Sequence, residues 1–153
     1  MTRNVGIIFA ASIPLVVLAF WPTYLSQPLS QADLYTHLHG AAGAAWLLLL
    51  IVQPLAIHNY RFVKLHRFLG RISYGLAALF FVSGMLLSHH RLVTMDDTRF
   101  AAEGFGHFLP FYASIVFAVA YILGLVYRKL PDAHGRFMLL TAVPLVDPVD
   151  RKS

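Results

Sequence analysis

His39 and His66 stand 27 residues apart, and His107 and His134 repeat that separation. Between the members of each pair runs an apolar stretch long enough to cross a bilayer, so each pair sets one imidazole near each membrane face. Neutral imidazole is a ready metal ligand near neutral pH, and two such pairs suit two stacked metal or haem centres. Of the eight histidines, His37, His39, His89, His90 and His107 fall toward one face, and His58, His66 and His134 toward the other. Each alone reads equally well as a polar residue meeting headgroups and water at a helix end. Ionisable side chains held inside a bundle, by contrast, are costly and usually functional. His37 and His39 differ by about 200° around a helix, so only one of them faces a given partner.

The neighbours of these histidines extend the argument. Gly40 and Gly43 lie within a turn of His39, Gly70 follows His66 by four residues, Gly104 and Gly106 precede His107, and Gly135 follows His134. Small residues let a porphyrin approach the backbone, and they serve ordinary helix packing equally well. Arg67, Arg71 and Arg136 are placed to pair with haem propionates as bidentate donors, or to act simply as cytoplasmic-side charges. A bare metal is the alternative. His37, His39, His89, His90 and His107 would make an imidazole-rich outer site for copper or zinc, with Asp96, Asp97 and Glu103 as possible carboxylates. Cysteine is absent, which excludes disulfides, thiolate zinc sites, cysteine-held iron–sulfur clusters and covalent c-type haem. There is no HExxH, GxSxG, Walker A or GxGxxG pattern. Gln53 is expected to bond a neighbouring helix or a ligand, with the carbonyl freed by Pro54 as another partner. Trp46, Tyr74 and Tyr112 are candidates to line a pocket, or packing and belt aromatics.

These residues need helices to position them. With 58% hydrophobic residues, 12% charged residues and a mean hydropathy of +0.66, the chain belongs to polytopic membrane proteins. Residues 1–153 form one membrane-embedded helical domain, an all-α, up-and-down bundle of about five segments. Val5–Leu25 reads as a retained first helix, because no small-residue cleavage site follows it. The second segment covers about His39–Ile57, with a capping-box spacing at Ser30–Asp33 that starts the helix earlier and sets His37 and His39 two turns inside. The third covers about Phe62–Ser88 and the fourth about Gly106–Tyr127. A fifth begins near Ala133, with Asp132 as its cap, and its apolar run from Phe137 to Val146 spans only about half the hydrocarbon core, roughly 15 Å. Its flank is expected to meet lipid or a second copy of the chain. Arg3, Arg61, Lys64, Arg67, Arg71, Arg128, Lys129 and Arg136 fall on one side, against Arg91 and Arg99 on the other before the tail, which predicts a cytoplasmic amino terminus. The net charge of +5 sits at helix ends, so no nucleic-acid partner is implied.

The run His37-Leu38-His39-Gly40 with Trp46 and Gln53, then Leu65-His66-Arg67-Phe68-Leu69-Gly70-Arg71, and finally His134-Gly135-Arg136-Phe137-Met138-Leu139-Leu140 with Asp147-Pro148, resembles an uncharacterised bacterial family of polytopic membrane proteins, a domain-of-unknown-function family. The resemblance covers most of residues 35–150. It implies further helices beyond Pro148, so this chain is expected to be short for that family. In arrangement, the chain is also similar to cytochrome b561-like two-haem proteins, in which histidines of helices two and four hold one b haem and those of helices three and five another. That likeness implies His39 with His107, and His66 with His134. The expectation is a bacterial inner-membrane protein that binds b-type haem and carries electrons, with a quinone or redox protein as partner and a homo-oligomer as one possible state. A non-catalytic membrane protein that binds copper or zinc, or assists assembly of a complex, is the alternative. Whether the chain is an enzyme is left open.

Overall fold

The computed structural model describes residues 33–58 and 62–143, with side chains except at 58, 99 and 101–107. Four helices follow in order: α1 (Leu34–His58), α2 (Val63–Val93), α3 (Asp97–Val126) and α4 (Pro131–Leu140). Among the described residues all regular structure is helical. Three helices are long and apolar enough to span a membrane, over Leu34–Ile57, Val63–Val93 and Phe108–Val126. The expected first segment, Val5–Leu25, lies outside the described residues, so spanning helices number three here against the five expected.

The pattern of burial is what a bilayer demands. In lipid every backbone polar group must bond within its own segment, which a helix achieves, and helix contact then rests on small residues that let backbones approach. Accordingly α2 turns Ser73, Ala77, Ser83, Gly84 and Ser88 inward. Large aliphatic side chains point outward at helical spacing: Leu48, Val52 and Leu55 on α1, Leu79, Val82 and Leu86 on α2, Ile115, Val119 and Ile122 on α3. The core is aromatic. Trp46 meets Phe117 and Tyr121 edge-on at 5.0 and 5.3 Å between ring centroids, and Phe80 packs on Phe117 at 4.6 Å.

Consecutive helices pack against one another, so the chain runs up and down. Several boundaries differ from the sequence expectation, each for a local reason. Asp33 itself caps α1, its carboxylate accepting the Thr36 N–H at 2.6 Å, so the helix starts at Leu34 and His37 and His39 lie in its first two turns. Ser30 falls outside the described residues. Helix α2 continues through His89 and His90 to Val93, where the Thr94 N–H and hydroxyl both bond the His90 carbonyl. Helix α3 starts nine residues before the expected Gly106, which puts Glu103 in a helix and leaves only Thr94–Asp96 as the turn. Helix α4 begins at Pro131, whose fixed φ suits a first helical position, with Leu130 at the cap. Asp132 is a first-turn acid there and makes no cap. This helix is ten residues long, and of the expected apolar run Phe137–Val146 it takes in only Phe137–Leu140, the part beyond Val143 lying outside the described residues. It is anchored just past its end, where the Trp46 indole N–H donates to the buried Thr141 hydroxyl at 3.1 Å and that hydroxyl donates to the Met138 carbonyl at 2.6 Å.

Candidate functional site

At the end of the bundle where α1 begins, His39 lies against α2. Its ring stacks on Phe80 at 4.6 Å and its Nδ1 is 3.1 Å from Ser83 Oγ. The Ser83 hydroxyl donates to the Phe80 carbonyl at 3.1 Å, so its one proton is used and its oxygen accepts from His39 Nδ1–H. Neutral His39 therefore carries an unshared pair on Nε2. Gly84 makes this approach possible: a Cβ there would stand 3.0 Å from His39 Cε1 and 2.8 Å from Ser114 Oγ of α3. Ser114 donates to the Pro110 carbonyl at 2.9 Å. One turn further along α2, the buried hydroxyl of Ser88 has no hydrogen-bond partner. His107 belongs to α3, two turns from Ser114, and its side chain is outside the described set.

The other histidines at this end are differently engaged. His90 Nε2 stands 3.8 Å from the Asp33 carboxylate, and its ring packs on Tyr35 at 4.9 Å. His89 is exposed and His37 half-buried with an interaction of its own. Among the described residues no three side chains of His, Cys, Asp or Glu gather as a bare metal ion would need. His90 is turned to Asp33 and Tyr35, and His107, the fifth histidine of the copper or zinc site expected from His37, His39, His89, His90 and His107, has its side chain outside the described set. Asp33, outside the spanning segments, has its pKa lowered below the ordinary 3.8: burial raises it, but the Thr36 N–H and hydroxyl and the nearby His90 and Arg91 charges outweigh that.

At the opposite end, α1, α2, α3 and α4 converge. His134 Nδ1 stands 2.7 Å from the Gly124 carbonyl, which can only accept, so Nδ1–H donates and Nε2 is again unprotonated in the neutral ring. The packing of α4 allows this: Met138, one turn on, lies against Gly124, where a Cβ would meet its Cε at 3.2 Å. His66, half-buried on α2, is close enough to His134 for the two to interact electrostatically. Gln53 of α1 reaches His66 and Gly70 of α2, and its backbone carbonyl bonds the His66 ring as well. Ser73 donates to the Gly70 carbonyl at 2.8 Å and accepts the Tyr121 hydroxyl at 2.8 Å, which ties the same stretch of α2 to α3. Arg67, Arg71 and Arg136 are exposed beside this end.

The structure thus brings His66 and His134 to one end and sets His39 at the other. Sequence reasoning missed Phe80, Ser83, Gly84 and Gly124, which meet the imidazoles, and Ser73, Ser114 and Tyr121, which tie the helices beside them. The small-residue series along α2 was the available signal, overlooked because the glycines weighed were those adjacent to histidines. Of those, Gly135 has open space where a Cβ would go. Trp46 is buried in the core, whereas Tyr74 and Tyr112 face outward. No family model matches the chain, and no curated protein or solved structure matches it.

Proposed function

We propose that this protein is an integral membrane electron carrier of the bacterial inner membrane, amino terminus cytoplasmic, that holds b-type haem in its bundle. His39 with His107 serves the end where α1 begins, and His134 beside His66 serves the other. Arg67 and Arg136 are near enough to the second end in sequence and exposure to pair with propionates. One observation carries this reading: His39 and His134 each donate Nδ1–H to an oxygen acceptor, Ser83 Oγ and the Gly124 carbonyl respectively. Ligating histidines characteristically make this second bond, which fixes the ring and leaves Nε2 to bind.

Bound haem would supply a one-electron couple. The chain's contribution is ligation, an apolar surrounding and guanidinium charge, which together set the potential. Absorbance of the purified protein is the test, with a Soret band and reducible alpha and beta bands as the expected result. His39→Ala, His107→Ala and His134→Ala are each expected to lose one haem and retain the other, because the two ends are separate. A colourless parent overturns the reading and leaves a membrane protein without a redox centre. Loss of both haems in every variant points to misfolding in place of ligation.

A further inference from the structure

Helix α2 is longer than a hydrocarbon core, and its charges show where the surplus lies. Residues 72–90 carry no Asp, Glu, Lys or Arg, and at 1.5 Å apiece they measure about 28 Å, close to a core of roughly 30 Å. Arg71 and Arg91 bracket that stretch, so the part of α2 from Val63 to Arg71 stands in the headgroup layer. Within it Lys64, Arg67 and Arg71 lie within about 60° of one another around the helix and over roughly 10 Å of its length, and all three are exposed. Side chains lean toward the amino terminus of their helix, which here carries these three away from the hydrocarbon and toward the phosphates. Among the described residues Asp132 of α4 is the acid at this end, and no salt bridge joins a carboxylate to Lys64, Arg67 or Arg71.

Directly below Arg71 the surface is low. Gly75, four residues on, has nothing within 4 Å of where a Cβ would stand, and Ala78 after it is exposed as well. Tyr74 and Leu79, 46% and 43% exposed, rise on either side. Cations at phosphate level above a slot at acyl level match the shape and charge of one lipid class. We infer that this face of α2 binds an anionic phospholipid, its phosphate held by Lys64 and Arg71 and one acyl chain lying along Gly75 and Ala78. A zwitterionic lipid brings a cation of its own to Lys64 and Arg71, so the site discriminates by headgroup charge. The inference goes beyond the haem reading and does not depend on it. Arg67, given there to a propionate, is left unvaried in the test.

Dioleoyl phosphatidylglycerol, dioleoyl phosphatidylcholine and inorganic phosphate are titrated into the purified full-length protein in neutral detergent, with bound species read by native mass spectrometry. The parent should bind phosphatidylglycerol about tenfold more tightly than phosphatidylcholine, and Lys64→Gln and Arg71→Gln should each weaken phosphatidylglycerol about fivefold, the usual effect of one cation beside an anionic surface. Gly75→Leu, which fills the slot and leaves every charge in place, should weaken both lipids. Arg128→Gln combined with Lys129→Gln, at the same end but off α2, should leave binding unchanged. Should the α2 charge variants fail to fold, Gly75→Leu and the parent decide the matter. Equal binding of the two lipids by the parent, or parental binding by Gly75→Leu, overturns the inference. An equal loss in the Arg128 and Lys129 variant overturns it in favour of diffuse charge. Displacement of phosphatidylglycerol by inorganic phosphate overturns it in favour of a free-phosphate site.

Discussion

Single atoms decide most of what the candidate site can do. Gly84 is the sharpest case, because a methyl group there would collide with Ser114 Oγ at 2.8 Å and with the His39 ring at 3.0 Å, neither at the end of a long flexible side chain. Gly84→Ala is therefore expected to cost about 1–3 kcal/mol, the usual range for overpacking a filled core. Gly75 offers the control: nothing lies within 4 Å of its would-be Cβ, so Gly75→Ala should be neutral or stabilising by up to about 1 kcal/mol through helix propensity. Thermal melts in detergent compare the two, and equal effects would show that α2 does not approach α3 closely at Gly84. Gly124 lies between these cases, since the atom it would meet is the mobile Cε of Met138.

Helix ends and anchors belong to the next scale. The depressed pKa of Asp33 reflects a carboxylate that is better held in the folded chain than in the unfolded one. Its contribution is thus fully present above the ordinary value of 3.8 and is lost as pH falls through its lower folded value. Asp33→Ala should cost about 1 kcal/mol at neutral pH through the lost cap, whereas Asp33→Asn should keep most of the cap and lose the acid sensitivity. Melts at neutral pH and well below 3.8 separate these outcomes. The anchor of α4 is Trp46. Trp46→Phe removes the N–H that meets Thr141 but keeps an aromatic ring, so a cost of about 0.5–1.5 kcal/mol is expected for the hydrogen bond, with a further loss for the vacated volume. Because Thr141 retains its bond to the Met138 carbonyl, α4 should loosen before the rest of the bundle, which faster amide exchange at residues 131–140 would report.

At the scale of the whole molecule, three long helices in succession place the Thr94–Asp96 turn on one side of a bilayer and both the α1–α2 link and the Tyr127–Leu130 turn on the other. Lys64, Arg67, Arg71, Arg128 and Lys129 belong to that second side, and the first has Arg91 and Arg99. The positive-inside tendency then predicts Met95 on the non-cytoplasmic side. In intact cells an impermeant thiol reagent should label Met95→Cys and leave Phe62→Cys unmodified, and the opposite result would invert the topology. Helix α2, 31 residues and about 46 Å long, exceeds a hydrocarbon core of roughly 30 Å, so its ends reach the headgroups, where Arg67 and Arg91 are tolerated.

Class, helicity and the sorting of His39 to one end and of His66 and His134 to the other were legible in the chain itself, because they depend on composition, on apolar run length and on residue spacing. Helix boundaries were less so. The run from Asp97 to Phe105 carries charged residues and glycine that read as a loop, yet it continues α3, since a helix leaving the bilayer needs no apolar face to persist. The state of each imidazole was not legible at all. The partners that face the rings are Ser83, 44 positions from His39, Gly124, 10 positions from His134, and Gln53 on the helix before His66. Sequence spacing made the four histidines look equivalent. A proton has one place on a neutral ring, and the partner beside each imidazole is brought there only by packing, so the tertiary structure alone sets His39 against Ser83, His134 against the Gly124 carbonyl and His66 against Gln53.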